Sequence, residues 1–296
     1  MRTKWIVGTR GSKLALTQAG IVIEVLNREH PGHSFALKII KTTGDTAWDK
    51  PLSVIGGKGV FVKEIEEELA RGSIDLAVHS TKDIPAELAP GLVIGAFLQR
   101  EDPRDVFISS RYKSIDELVP GCRLGTGSLR RKAQILRHRP GITVVPLRGN
   151  VDTRIRKIQT ENLDGIILAA AGVNRLGLHA AIAQVIPTAI MVPTAGQGAI
   201  GIEVRRDDDA AELLRPINDQ RTFNEVSIER AIQAAVGGGC SIPLGIHARI
   251  ENDRIDLNLS LGNEQGAILI HDTLSAPLSA RDTLISQAVD ILSTHR

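Results

Sequence analysis

Aromatic side chains are scarce in this sequence: five Phe, two Trp and one Tyr among 296 residues. None lies between Tyr112 and Phe223. Proteins that take single-stranded nucleic acid stack bases on aromatic rings, and no helix-turn-helix, zinc-finger or RNP pattern stands in for them, so no nucleic-acid partner is expected. Cysteine is as rare. Cys122 and Cys240 offer neither a disulfide framework nor metal-ligand spacing, and the eight histidines are scattered, so no structural metal is expected. No stretch approaches the roughly 20 apolar residues of a membrane span. The first apolar run, Trp5 to Val7, is interrupted by Arg10 and Lys13, which speaks against a secretory signal. Overall charge is also lacking, since 36 basic and 34 acidic side chains leave only +2. A cytoplasmic protein with reduced thiols fits these absences. Without a heptad or sustained apolar stripe, a monomer is expected.

What the chain does have is a local excess of positive charge. From Cys122 to Thr160 stand Arg123, Arg130, Arg131, Lys132, Arg137, Arg139, Arg148, Arg154, Arg156 and Lys157, against the single acid Asp152. A charge run is usually a solvated helix face. Here, however, Arg outnumbers Lys eight to two, and the planar guanidinium suits bidentate pairing with carboxylate or phosphate. Gly125-Thr126-Gly127-Ser128-Leu129-Arg130-Arg131 also reads as a strand end, a tight turn and a helix start, where free N–H groups and two hydroxyls join two cations. A small molecule with many carboxylates or phosphates is the expected ligand.

At this length two or three domains are expected. Strands at Lys4–Val7, Phe35–Ile40 and Ile74–His79 alternate with helices at Ser12–Glu29 and Phe61–Arg71. Such alternation implies a parallel or mixed sheet, whose ligands lie beyond the strand C-termini. The polar segment Gln99–Asp105 reads as a linker. A second α/β lobe follows, with strands at Arg123–Gly125, Ile142–Leu147 and Gly165–Ala170, and helices at Ser128–His138, Asn150–Thr160 and Ala171–Leu176. Pro187, Pro193 and the glycines of AGQGAIG break the chain again, and two similar lobes joined twice suggest a cleft. After Pro216 come a helix at Arg221–Val236, a glycine-rich loop at Gly237–Gly245 and alternating antiparallel strands from Ile246 to Asp272, with turns near Asn252 and Asn263. A helix at Ser279–Ser293 completes a smaller α+β domain. The expected division is 1–99 with 200–217 returning to it, 100–199, and 218–296.

Four motifs invite chemistry. Arg10 and Ser12 sit at a strand-to-helix turn, where Ser12 could equally be an ordinary N-cap. His79-Ser80-Thr81-Lys82-Asp83-Ile84-Pro85 ends an apolar strand, and Lys82 beside Asp83 could neutralise a carboxylate and handle a proton. Gly196-Gln197-Gly198-Ala199-Ile200-Gly201 matches a dinucleotide fingerprint literally, yet it leads into a β-type run rather than a helix, so it reads as a hinge. Arg205–Asp209 reads as a solvated helix start. Finally, Val236-Gly237-Gly238-Gly239-Cys240-Ser241-Ile242-Pro243 frees space around a thiol, and covalent attachment or nucleophilic attack becomes credible. For Cys122 the expectation is a small buried hydrophobe.

Taken in order, RGSKLAL, TTGD, GGKGVF, HSTKDIP, GTGSLRR, RGNVDTR, AAAGVNRLG, PTAGQGAIGIE and GGGCSIPLG resemble the porphobilinogen deaminase (hydroxymethylbilane synthase) family over nearly the whole chain. The resemblance implies an α/β fold of three domains. The first two resemble type II periplasmic binding protein lobes, mixed sheets with a double crossover; the third is a small α+β domain with an antiparallel sheet. It implies a transferase of porphyrin and haem biosynthesis that condenses four porphobilinogen molecules into hydroxymethylbilane and releases ammonia. It also implies a dipyrromethane cofactor on a thioether to Cys240.

Each pyrrole carries an acetate and a propionate, so a two-ring primer extended by four rings presents twelve carboxylates, a load the basic stretch suits. By matching motif positions, Lys58, Ser80, Lys82, Thr126, Ser128, Arg130, Arg131 and Arg154 would hold the cofactor. Arg10, Ser12, Phe61, Arg148 and Arg175 would receive porphobilinogen, and Asp83 would be the catalytic acid facing the pyrrole N–H groups. Two departures from the family pattern stand out. Val54 replaces a commonly basic residue, and Ser241 follows the cysteine where Gln is common. The rival reading is a polycarboxylate receptor, which leaves the GGGCSIPLG cysteine without a purpose.

Overall fold

The computed structural model describes residues 2–43, 59, 62–237, 242–263 and 265–294. They form two compact units, Met1–Glu101 with Ala199–Asn224, and Asp102–Gly198 with Glu225–Arg296.

In the first unit, β1 (Lys4–Arg10), β2 (Ser34–Ile40), β3 (Leu76–Ser80) and β4 (Leu92–Phe97) are joined by α1 (Lys13–Glu29) and α2 (Lys63–Ala70). The sheet is completed by β10 (Ile200–Arg205), in the order β2-β1-β3-β10-β4. β1 runs parallel to β2 and β3, whereas β10 is antiparallel to both its neighbours. The helix α1 forms because Ala15, Ala19, Val22 and Leu26 recur at three- and four-residue spacing. Of that stripe, Ala19, Val22 and Leu26 are buried in one cluster with Trp5, Val7, Leu76, Val78 and Ile202. Two further helices, α6 (Ala210–Leu214) and α7 (Gln220–Ala235), continue the chain after β10.

The second unit repeats the plan. Its strands are β5 (Asp105–Ile108), β6 (Arg123–Gly125), β7 (Thr143–Val145), β8 (Gly165–Ala169) and β9 (Gln184–Ile186), in the order β7-β6-β8-β5-β9. The helices α3 (Leu129–His138), α4 (Val151–Thr160) and α5 (Ala170–Arg175) follow β6, β7 and β8. Here β5 is the antiparallel strand between β8 and β9, the place that β10 holds in the first sheet. The two strands that leave each unit's parallel run are thus taken from the two chain crossings, which is the expected double crossover. Close approach dictates one glycine in this sheet: a Cβ on Gly165 would lie 2.3 Å from the Phe107 ring.

The third sheet is antiparallel, β11 (Leu244–Glu251), β12 (Arg254–Gly262) and β13 (Ile268–Pro277), backed by α8 (Arg281–Ser293). Its first hairpin turns at Asn252 and Asp253, whose φ values of 48° and 56° fit a turn with both central residues left-handed. The edge strand β11 is covered by carboxylates of α7. Glu229 accepts from Gly196 N at 2.7 Å and from Ala248 N at 2.9 Å, and Glu225 accepts from Ile250 N at 2.9 Å.

Three expectations are corrected. The linker ends before Asp105, which is fully buried and opens β5. Of the expected solvated helix start at Arg205–Asp209, exposed Arg206, Asp207 and Asp209 do lead into α6, but Arg205 is the last residue of β10 and donates to the Leu69 and Ile74 carbonyls at 2.7 and 2.8 Å. The strands β4, β5 and β9 add to those expected from the sequence pattern. No helix among the described residues is long and apolar enough to cross a membrane.

Candidate active site

In the first unit the singled-out residues gather at the C-terminal ends of two adjacent parallel strands. Arg10 ends β1, and Ser12 caps α1, its hydroxyl accepting from Ala15 N at 3.3 Å. Ser80 ends β3 and donates to Gln18 Oε1 of α1 at 2.9 Å, while Thr9 Oγ1 donates to Val78 O at 3.2 Å. These two bonds tie the β1–α1 turn to the end of β3. A 3₁₀ turn, Thr81–Asp83, follows at once and presents half-buried Lys82 and Asp83. It is fixed at Thr81, whose N–H donates to Ala199 O at 3.1 Å. Among the described residues the Asp83 carboxylate has no hydrogen bond or ion pair. Gly59 lies near this turn, since a Cβ there would be 3.4 Å from Pro85 Cγ. Lys58, Phe61 and Val54 lie outside the described residues.

One buried polar group here was not singled out from the sequence. His79 Nε2 lies 3.2 Å from Glu203 Oε2, with both side chains buried. Glu66 joins them from α2, its carboxyl pushed up by burial and by the charge of Glu203. A single His and a single Glu far apart in sequence give no local pattern. Only the β3–β10 register, which sets Gly201 opposite His79, brings them together.

In the second unit the β6–α3 connection is built around hydroxyls and guanidiniums. Thr126 Oγ1 accepts from Ser128 N at 3.2 Å, and Ser128 caps α3 by accepting from Arg131 N at 3.4 Å. Gly127 is required, because a Cβ there would lie 2.7 Å from Leu147 O. Arg130 and Arg131, in the first turn of α3, are 5% and 6% exposed and turn inward. Arg130 donates to Asp105 Oδ2 at 2.8 Å and to Val192 O at 2.6 Å. Arg131 donates to Asp105 Oδ1 from Nε at 3.1 Å and from Nη2 at 2.8 Å, and to Ile167 O at 3.1 Å. Gln197 Nε2 adds a bond to Asp105 Oδ1 at 3.0 Å. Burial alone would push the Asp105 carboxyl up, but the two guanidiniums outweigh it and hold it at about 2, below the ordinary 3.8. Asp105 is the buried counter-charge that the sequence concealed. The signal that could have found it is the excess of cations over acids in the stretch that follows, which calls for a counter-charge from elsewhere in the chain.

The remaining arginines sit in the loops and helices that follow the parallel strands. Arg148 precedes α4; Arg154 within α4 donates to Gly149 O at 2.6 Å; Arg175 ends α5 and donates to Gly198 O at 2.7 Å. Gly198 belongs to the GxGxxG match, which leads into the strand β10 and lacks the strand-to-helix setting of a dinucleotide site. Cys122 is 6% exposed within an apolar cluster, 3.4 Å from the Tyr112 hydroxyl, as a structural cysteine would be. Cys240 lies outside the described residues. The described residues hold no cluster of His, Cys, Asp or Glu suited to a metal ion.

These features define a class: an α/β protein with two mixed five-stranded sheets of matching strand order, and with cations and hydroxyls at the strand C-termini suited to a small polyanion. Residues 5–213 match the family model for the porphobilinogen deaminase dipyromethane cofactor binding domain, and residues 223–282 match that for the porphobilinogen deaminase C-terminal domain. The chain is 46% identical over 299 residues to the porphobilinogen deaminase of Brevibacillus brevis, covering 98% of this chain and 97% of that one. It is 45% identical over 287 residues to that of Syntrophotalea carbinolica, covering 97% and 91%. The chain belongs to the porphobilinogen deaminase family. Among solved structures it is similar to immunogenic lipoprotein A from Vibrio vulnificus, with 14% identity, a TM-score of 0.45 and 74% and 96% of the two chains covered. It is also similar to the periplasmic aliphatic sulphonate binding protein SsuA from Escherichia coli, at 13%, 0.39, 79% and 71%.

Proposed function

We propose that this protein is a hydroxymethylbilane synthase, a transferase that joins four porphobilinogen molecules head to tail with release of ammonia. The observation that carries the reading is the pair Arg130 and Arg131: two buried guanidiniums that meet one carboxylate, Asp105, among the described residues. Such a donor set suits a carboxylate of a dipyrromethane, whose rings carry acetate and propionate groups. The dipyrromethane, when bound through Cys240, supplies the pyrrole carbon from which the product grows.

The rest of the chemistry falls to side chains. Ser80, Lys82, Thr126, Ser128, Arg130, Arg131 and Arg154 would hold cofactor carboxylates, as would Lys58. Arg10, Ser12, Arg148 and Arg175 would take the acetate and propionate of the incoming porphobilinogen, and Phe61 is assigned to the same substrate by its motif position. Asp83 would face the pyrrole N–H groups. As the protonated amine departs, positive charge develops on the substrate ring, and a fixed carboxylate stabilises it, with the sign of the oxyanion hole reversed. The same carboxylate can accept and return a proton during ring-to-ring coupling. The protein acts in the cytoplasm as a monomer, with a third domain from residue 218 onward carrying the cofactor cysteine.

The test is intact mass under denaturing conditions followed by peptide mapping. An adduct of two pyrrole units on Cys240, and none on Cys122, is expected. Active protein with an unmodified Cys240 would refute the assignment, and a polycarboxylate receptor would carry no adduct at all.

A further inference from the structure

Asp105 stands apart from the residues that the family motifs identify, yet it touches two of them and is completely buried. We propose that Asp105 is a positioning residue for cofactor binding, orienting Arg130 and Arg131 and leaving the pair with one unit of positive charge for a single ligand carboxylate. This rests on the assignment of those two arginines to the cofactor.

The orientation argument is geometric. Arg131 is fixed through three nitrogens, Nε and Nη2 on Asp105 and Nη1 on Ile167 O, and Arg130 through two, Nη2 on Asp105 and Nη1 on Val192 O. A planar guanidinium held at two separated acceptors cannot rotate about its long axis, so its remaining N–H groups point in set directions. Asp105 is fixed in turn by Gln197 Nε2, which bridges Oδ1 at 3.0 Å and Pro103 O at 2.6 Å. Of the five N–H groups on each arginine, these bonds use three on Arg131 and two on Arg130. The others can meet a ligand.

The charge argument is independent of orientation. Two guanidiniums, each almost fully buried, share one carboxylate among the described residues, so the cluster carries one excess positive charge. A buried excess charge is unfavourable unless an anion meets it, and a ligand carboxylate would do so. Without Asp105 the excess would double and the guanidiniums would lose their common acceptor.

The experiment compares Asp105→Asn, Asp105→Glu and Gln197→Leu with wild type. It measures the fraction carrying an adduct on Cys240 by intact mass, the unfolding midpoint, and KM for porphobilinogen. Asp105→Asn is expected to lower the adduct-bearing fraction about tenfold or more at temperatures well below its own midpoint. The molecules that keep an adduct are expected to retain the wild-type KM, because the arginines assigned to incoming substrate are untouched. Asp105→Glu, which keeps the charge but shifts it by a methylene, is expected to fall between Asp105→Asn and wild type. Adduct in full amount on folded Asp105→Asn would overturn the proposal and leave Asp105 a structural residue. Should Asp105→Asn fail to fold, Gln197→Leu decides, since it changes no charge but removes the donor that fixes Asp105. A reduced adduct fraction supports the proposal, and a full one overturns it. A wild-type protein with no adduct on Cys240 would instead refute the functional reading on which the proposal rests.

Discussion

Asp83 closes a single 3₁₀ turn at the end of β3 with its carboxylate unengaged among the described residues. A group that is not used to hold the fold can be replaced without unfolding it. Asp83→Asn is therefore expected to keep the fold and the Cys240 adduct while lowering kcat about 10²- to 10³-fold, with a much smaller rise in KM. Asp83→Glu keeps the charge and is expected to retain more activity than the amide. Steady-state kinetics on both variants, with adduct content measured alongside, checks this, and near-normal kcat in Asp83→Asn would place the catalytic group elsewhere. Asp83 could be singled out in the sequence as a candidate because it follows an apolar strand inside a distinctive motif. Asp105 was not, because its acid stands in a polar run and its partners are 25 and 26 residues away, chosen by the way α3 packs on the sheet. The arginines of α3 could be read as cations but not as buried ones, since burial depends on that same counter-charge.

The β6–α3 turn shows how an element positions the chemistry. Its three adjacent residues act in different ways, as Thr126 accepts from Ser128 N, Gly127 passes close to Leu147 O, and Ser128 caps the helix that carries Arg130 and Arg131. Gly127→Ala places a Cβ 2.7 Å from a backbone oxygen, which cannot yield as a side chain could, and is expected to destabilise by about 1–3 kcal/mol. Ser128→Ala loses the cap, about 1 kcal/mol. Denaturant midpoints measured on both variants check the ranking, and the larger loss is expected from Gly127→Ala. The helices of both parallel runs were legible from their apolar spacing, to within one or two residues at most ends. The strands β4, β5 and β9 were not, because short apolar runs such as LVIGAF carry no period of their own and β5 begins inside a charged segment.

At the scale of the molecule, the Asp105 cluster ties stability to acid. Its carboxyl titrates at about 2 when folded against 3.8 when unfolded, so its contribution is fully present above pH 4 and is lost as pH falls through 2. The shift corresponds to on the order of 2 kcal/mol. Unfolding midpoints measured between pH 2 and 5 are expected to fall more steeply with acid in wild type than in Asp105→Asn, whose amide does not titrate. Equal slopes would mean that the cluster contributes nothing to acid sensitivity.

The place of β10 in the first sheet also bears on how the protein is made. That strand lies between β3 and β4 but is encoded after the whole second five-stranded sheet, just over a hundred residues beyond β4. As the chain leaves the ribosome, β3 and β4 have no partner between them, and their facing edges stay unpaired until residue 205 has been synthesised. The second sheet, whose five strands are contiguous from Asp105 to Ile186, faces no such wait. Nascent chains of the first unit therefore present open strand edges for many seconds at ordinary elongation rates of ~5–20 residues per second, which makes them candidates for chaperone capture and gives the downstream sheet the first opportunity to fold.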